Sequence, residues 1–245
     1  MKIRLGIPAY GGLHGHTVRS LMLTYHLLQL LGYEVEADFV IGSSAISKCR
    51  NEITNRFWNA GEDILIFLDA DMVWKAIDIV RLIETGKDCV CGNYRVKTDQ
   101  DKWVCYPEPT EDHRPIVVDG LIKTWDAGTG FLLIRRNVIA RMREAYPNLR
   151  YTDSENKEIY ALFEFVLEKG KFWGEDYTFS ARWGAIGGEI WMLPDVTLEH
   201  IGVSKWIGNY HEYLLERGRQ ERAGLEPIVP VVRKAVLDPT GGETV

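Results

Sequence analysis

At 245 residues and 46% hydrophobic side chains, the chain has room for one large α/β domain with a sizeable core. A net charge of −6 without any basic run argues against a nucleic-acid surface, and no apolar run approaches the length of a transmembrane segment. The cysteines Cys49, Cys89, Cys91 and Cys105 form neither a CxxC pair nor a disulfide-dense pattern, which favours a reducing, cytoplasmic setting. The N-terminus enters a strand directly, so no signal peptide is expected.

Ile3, Leu5 and Ile7 alternate before Pro8 and read as a first strand ending in Pro8-Ala9-Tyr10-Gly11-Gly12, a tight turn without the GxGxxG or P-loop spacing. Val18, Leu21, Met22, Tyr25, Leu28 and Leu31 repeat at helical spacing up to Gly32. Val35 to Ile41 reads as a second strand. Ser43 or Ser44 can cap a helix running to Ala60, with Ile46, Cys49, Ile53 and Phe57 as its apolar stripe. The run Ile64 to Leu68 suits a strand buried on both faces. A helix from Ala76 to Thr85 and a strand from Cys89 to Asn93 follow. This strand–helix alternation predicts a mainly parallel sheet flanked by helices.

Between Tyr94 and Asp126 the periodicity is lost, and the spacing predicts a long functional loop with short antiparallel strands. Gly128-Thr129-Gly130 leads into a strand over Phe131–Ile134 and a helix to Tyr146. Tyr151 to Lys171 reads as a mobile loop with a short element near Leu162. Further elements are a helix over Gly174–Ile186, strands at Ile190–Leu193 and Val196–His200, and a charged helix from Asn209 to Ala223. The expected organisation is a single domain over 1–224, divided into a nucleotide-binding half (1–93) and an acceptor-side half (94–224), with an extended tail over 225–245.

Candidate chemistry gathers at strand ends and helix starts, where open α/β sheets bind ligands. After the central strand come Asp69-Ala70-Asp71. On an extended chain both carboxylates point the same way, a hard-oxygen site for a divalent cation carrying phosphates. Exposed loop aspartates are the plainer explanation. Tyr10, at the first strand's end, can stack on a base or belong to a simple turn. Arg50 can pair with phosphate or be solvated. Glu175 and Asp176, preceded by Trp173 and Gly174, can be catalytic acids or merely favour a helix dipole. Trp173 itself can be a stacking surface or a core residue. His200 can be a core histidine or a third ligand for Mn²⁺, less suited to Mg²⁺.

In their order and spacing these residues resemble glycosyltransferases of the GT-A fold, over roughly Ile3 to Tyr210. Asp69-Ala70-Asp71 matches the DxD motif of that family, which binds a cation chelated by a nucleotide-sugar diphosphate. Trp173-Gly174-Glu175-Asp176 is similar to the acceptor-side motif of β-1,4-galactosyltransferases and to the ED motif of family 2 enzymes. The run from Gly128 to Arg136, opening with Gly128, Thr129 and Gly130, resembles the strand beside the donor sugar. His200 resembles the metal-binding histidine of several GT-A families, and the lean proportions are similar to small viral glycosyltransferases acting in the host cytoplasm. The resemblance implies a Mn²⁺- or Mg²⁺-dependent hexosyl- or deoxyhexosyltransferase that takes a UDP-sugar in preference to a GDP-sugar. A glycan or glycoconjugate would be its acceptor. It further implies a donor site at Pro8, Ala9, Tyr10, Arg50, Asp69, Ala70, Asp71 and Gly128–Gly130, and a metal at Asp69, Asp71 and His200. Trp173 and Gly174 would face the acceptor, with Asp176 as catalytic base and Glu175 beside it.

Two rivals remain. Phe67-Leu68-Asp69-Ala70-Asp71-Met72-Val73 also fits the first motif of haloacid-dehalogenase-type phosphatases, although that motif normally ends a first strand and its later acidic partner is missing. A catalytically inactive glycan-binding module of the same fold is the other, since fold alone does not settle function.

Overall fold

The computed structural model describes residues 1–108, 110, 114–202 and 204–222. Its elements, in chain order, begin with β1 (Lys2–Ala9), α1 (Gly15–Leu30), β2 (Glu34–Ile41), α2 (Ile46–Asn59) and β3 (Ile64–Leu68). There follow β4 (Met72–Val73), α3 (Ala76–Glu84), β5 (Cys89–Gly92), β6 (Val117–Val118), β7 (Leu121–Thr124), β8 (Phe131–Arg135) and α4 (Arg136–Ala145). The chain continues through β9 (Arg150–Thr152), β10 (Glu158–Tyr160), β11 (Val166–Glu168), β12 (Lys171–Trp173) and α5 (Glu175–Ala185). It closes with β13 (Ile190–Leu193), β14 (Thr197–Ile201), β15 (Lys205–Asn209) and α6 (Tyr210–Arg222). The tail expected over 225–245 lies outside the described residues.

The main sheet runs β2-β1-β3-β8-β5-β13-β7-β6. Pairs β1–β2, β1–β3 and β5–β13 are parallel, while β8 and β7 run against their neighbours. Strand β3 explains why its five residues are all apolar. Leu65 and Phe67 pack with Ile53 and Phe57 of α2, Ile139 of α4 and Phe179 of α5. Ile64, Ile66 and Leu68 pack with Leu21 and Leu28 of α1 and with Ile79 and Leu82 of α3. Helices therefore cover both faces, and each large apolar side chain buried there contributes about 1.5–3 kcal/mol. Helix α1 ends as its sequence suggests. Gly32, at φ +80°, lets its own N–H reach Gln29 and that of Tyr33 reach Leu28, closing off the last carbonyls.

Three expectations need correction. Neither Ser43 nor Ser44 caps α2; the cap position is Ala45, with no side-chain bond, because the helix starts one to two residues later. The segment Tyr151–Lys171, expected as a mobile loop followed by a short element near Leu162, instead forms two antiparallel hairpins, β9–β10 and β11–β12, with Leu162 in the connection between them. It escapes sequence periodicity because three-residue strands are too short to display an alternation. Residues Asp69 to Asp71 are not extended. The Asp69 carbonyl accepts from Met72 N–H at 3.1 Å, so the chain turns there and the two carboxylates diverge.

Among the described residues no helix is long and apolar enough to cross a membrane. All four cysteines are buried and unpaired.

Candidate active site

The parallel strands β1 and β3 end side by side, and the loops that leave them are tied together. His14 N–H donates to the Ala70 carbonyl at 3.0 Å, fixing the turn after Tyr10 against the Asp69–Asp71 turn. Pro8 and Ala9 lie within β1, while the Tyr10 side chain stands 68% exposed above the strand ends.

Asp69 and Asp71 serve different neighbours. The Asp69 Oδ1 accepts from Arg50 Nη2 at 3.0 Å, and Arg50 Nε donates to Glu175 Oε1 at 3.2 Å. Arg50, only 3% exposed, thus joins the turn after β3 to the first turn of α5. Burial opposes its charge, but Asp69 and Glu175 outweigh that and hold the guanidinium above its ordinary pKa. It is not a solvated helical arginine. Its neighbour Asn51 clamps Phe163, donating to its carbonyl at 2.8 Å and accepting from its N–H at 2.9 Å. Two consecutive residues of α2 therefore tie the first part of the chain to Phe163 and Glu175 in the second.

Asp71 faces a more open space. Its Oδ2 pairs with Lys97, and His200 Nε2 stands 3.6 Å from its Oδ1. His200 arrives there because β14 pairs with β4, with His200 opposite Met72. Its Nδ1 lies 3.0 Å from the Arg95 carbonyl, an arrangement that puts the proton on Nδ1 and leaves the Nε2 lone pair toward Asp71. Burial lowers its pKa, which favours the neutral, ligating form. As donor chemistry, this carboxylate and neutral imidazole fit a divalent cation of the Mn²⁺ type. Among the described residues no group of three such side chains closes into a cage.

Tyr94, which sequence reasoning passed over, sits between these parts. Its buried hydroxyl accepts from Gly130 N–H at 3.0 Å, and the Gly130 carbonyl accepts from Asp69 N–H at 3.1 Å. A Cβ at Gly130 would meet the Tyr94 hydroxyl at 2.7 Å and Asp69 Oδ2 at 2.9 Å; one at Gly128 would meet that hydroxyl at 2.7 Å. Both glycines are needed for this close approach. Thr129, between them, is buried. Tyr94 carries one usable signal, an aromatic immediately after a buried strand. Lys97 carries none.

Gly174 is the N-cap residue of α5, and Glu175 and Asp176 form its first turn. Asp176 Oδ1 accepts from Tyr177 N–H at 2.8 Å. Burial raises the Asp176 carboxyl to about 6, and the charge of Glu175 adds to the shift. The Tyr177 bond and Arg50 oppose it without cancelling it. The helix dipole that would weaken this base is thus overcome by desolvation. Trp173 ends β12, half-buried, opposite Val166.

No protein-family model matches the chain, and no curated protein matches it. Solved structures do. A197 from STIV shares 17% identity, covers 82% of this chain and 86% of its own, and superposes with a TM-score of 0.53. A glycosyltransferase involved in the glycosylation of the major capsid of PBCV-1 shares 9% identity over 59% of this chain and 65% of its own, with a TM-score of 0.33. The first likeness is one of fold; the second overlaps too little to carry an argument. The protein is an α/β protein of GT-A-like architecture, a mixed sheet between helices with its polar residues gathered at the strand ends.

Proposed function

We propose that the protein is a metal-dependent glycosyltransferase that moves a sugar from a nucleotide-diphosphate donor, UDP-linked in preference to GDP-linked, onto a hydroxyl of a glycan or glycoconjugate. The observation that carries this reading is the Arg50 bridge. One buried guanidinium holds Asp69 and Glu175 together, so the Asp-x-Asp turn and the Trp-Gly-Glu-Asp turn form one site. A phosphatase nucleophile at Asp69 is disfavoured by the same bridge, because its Oδ1 is already engaged by a buried guanidinium.

In this reading Asp71 and His200 hold the cation, with Asp69 set behind them on Arg50. A bound Mn²⁺ or Mg²⁺ supplies charge neutralisation for the departing diphosphate. The nucleoside lies against Pro8, Ala9 and Tyr10, whose ring is free to stack on a base. Gly128 and Gly130, both pressed against Tyr94 and the second also against Asp69, line the donor sugar with no side chain of their own, and Thr129 between them is buried. The acceptor enters over Trp173 and Gly174. Asp176 takes the acceptor hydroxyl's proton as the new C–O bond forms, which gives inversion at the anomeric carbon. A carboxylate with a pKa near 6 is charged at neutral pH and more basic than an ordinary aspartate. Four unpaired cysteines agree with a cytoplasmic site of action.

The test is titration calorimetry with UDP- and GDP-sugars and Mn²⁺, followed by proton NMR of the product. Asp71→Ala should abolish the Mn²⁺-dependent part of donor binding. Chelator-insensitive affinity unchanged by Asp71→Ala would sink the donor site, and a retained anomer would sink the inverting mechanism.

A further inference from the structure

The protein sets an ammonium of its own against the carboxylate assigned to the metal. Lys97 pairs with Asp71 Oδ2, and His200 approaches Oδ1. Lys97 and His200 both depend on the segment after β5. Lys97 belongs to it, and His200 is oriented by the carbonyl of Arg95 within it. That segment folds back on itself: Arg95 bridges to Trp103, Val96 N–H reaches the Lys102 carbonyl at 2.9 Å, and Val104 N–H reaches Tyr94 at 3.1 Å. Lys97 therefore stands near the tip of a small folded finger whose base, Tyr94, bonds Gly130 and whose flank holds His200.

A divalent cation and an ammonium cannot share one carboxylate oxygen without strong repulsion. The Lys97–Asp71 pair is also partly solvated, with side chains 33% and 38% exposed, so it is a contact that a ligand can open at small cost. Charge balance favours the exchange. Lys97 and Asp71 neutralise each other, and a dication arriving with a diphosphate of two negative charges is itself neutral. Once Asp71 turns to the dication, the ammonium is left facing phosphate oxygens, which accept strong charge-assisted bonds.

We propose that Lys97 serves as the internal counter-ion of Asp71 in the donor-free protein and moves to the donor's diphosphate when a divalent cation takes Asp71. Lys97 is then a donor-binding residue, and the finger over residues 94–104 reports whether metal and nucleotide are in place. The inference rests on the glycosyltransferase reading.

Calorimetry with Mn²⁺ alone, and with Mn²⁺ plus UDP or GDP, tests it in the wild type, Lys97→Met, Lys97→Arg and Asp71→Asn. Removing the competing ammonium should let Lys97→Met bind Mn²⁺ alone up to about fivefold more tightly. The same variant should bind the Mn²⁺–nucleoside diphosphate about tenfold more weakly, having lost a charged contact to phosphate. Lys97→Arg should recover most of that second loss. Amide exchange over residues 94–104 should change on adding Mn²⁺ with nucleotide to the wild type but not to Asp71→Asn. Effects of the same sign on both ligands in Lys97→Met, or no effect on either, would overturn the role of Lys97 while leaving the donor site standing. A wild type that binds neither nucleotide in the presence of Mn²⁺ would overturn the donor site and this proposal together.

Discussion

Two buried arginines sit at opposite ends of the same strands and are treated very differently. Arg4, near the amino ends of β1 and β3, donates twice to Glu62 at 2.6 and 2.9 Å and once to Asp38 at 2.6 Å. Each nitrogen of that guanidinium fork bonds a carboxylate that is itself buried. Arg50, at the carboxyl ends, makes two longer bonds to carboxylates from two distant motifs, and its buried Nη1 has no hydrogen-bond partner among the described residues. The first cluster is closed and serves cohesion. The second is strung between partners, an incompletely satisfied network that is costly unless function requires it. The expectation that follows is that damage at the amino end costs stability, while damage at the carboxyl end costs chemistry.

The largest effect should come from Asp176→Asn, which keeps shape and removes basicity. Transfer should fall by about 10²–10⁴-fold with donor binding intact, as steady-state kinetics and calorimetry would reveal. Near-normal turnover would mean that the base lies elsewhere. Stability should move the other way. The folded-state pKa of Asp176 is raised, so its contribution is most favourable below the unfolded value and is lost as pH rises through about 6. Above that pH the charged, desolvated carboxylate is a burden. Asp176→Asn should then be more stable than the wild type in urea unfolding at pH 8, by at most about 3 kcal/mol, and show no such gain at pH 4.

Next come the arginines themselves. Arg4→Met leaves Glu62 buried without its cation and Asp38 with only the half-exposed Arg56, and should cost about 3–5 kcal/mol in urea unfolding. The fraction that folds should retain its kcat/KM. Arg50→Met should cost less, about 1–3 kcal/mol, because Asp69 is partly solvated, yet transfer should be lost. If Arg4→Met impaired turnover as severely as Arg50→Met, the division between the two ends would be wrong.

The pH profile sharpens the same contrast. With Asp176 as base, kcat/KM should climb about tenfold per pH unit below about 6 and level off above it. The limb should vanish in Asp176→Asn.

The smallest effects belong to the two candidate stacking rings, Tyr10 and Trp173. Tyr10→Ala should raise the donor KM about fivefold, the loss of one stacking contact of about 1 kcal/mol, and Trp173→Ala should act similarly on the acceptor KM alone. Tyr10→Ala should not shift the unfolding midpoint appreciably, because Tyr10 is solvent-exposed. A donor KM unmoved by Tyr10→Ala would take the base away from the end of β1.

Sequence patterning carries far for this chain wherever one local rule dominates. Ile64–Leu68 is apolar at every position because it is covered on both faces, and its bounds as a strand are those read from composition alone. Gly32 ends α1 because only a left-handed residue closes that cap without strain. The glycines at 128 and 130 and the acids at 175 and 176 are visible as a pattern without a reason. Tertiary structure supplies the reason: a phenol from position 94 presses on both glycines, and burial lifts the Asp176 pKa. It also divides the two aspartates that sequence alternation treats as twins. A turn closed by Met72 sends Asp69 to a buried arginine and Asp71 to a lysine and a histidine. Those partners lie at positions 50, 97 and 200. Local spacing encodes periodicity and caps, whereas charge pairing across such separations depends on sheet order and strand register, which arise only when the whole chain packs.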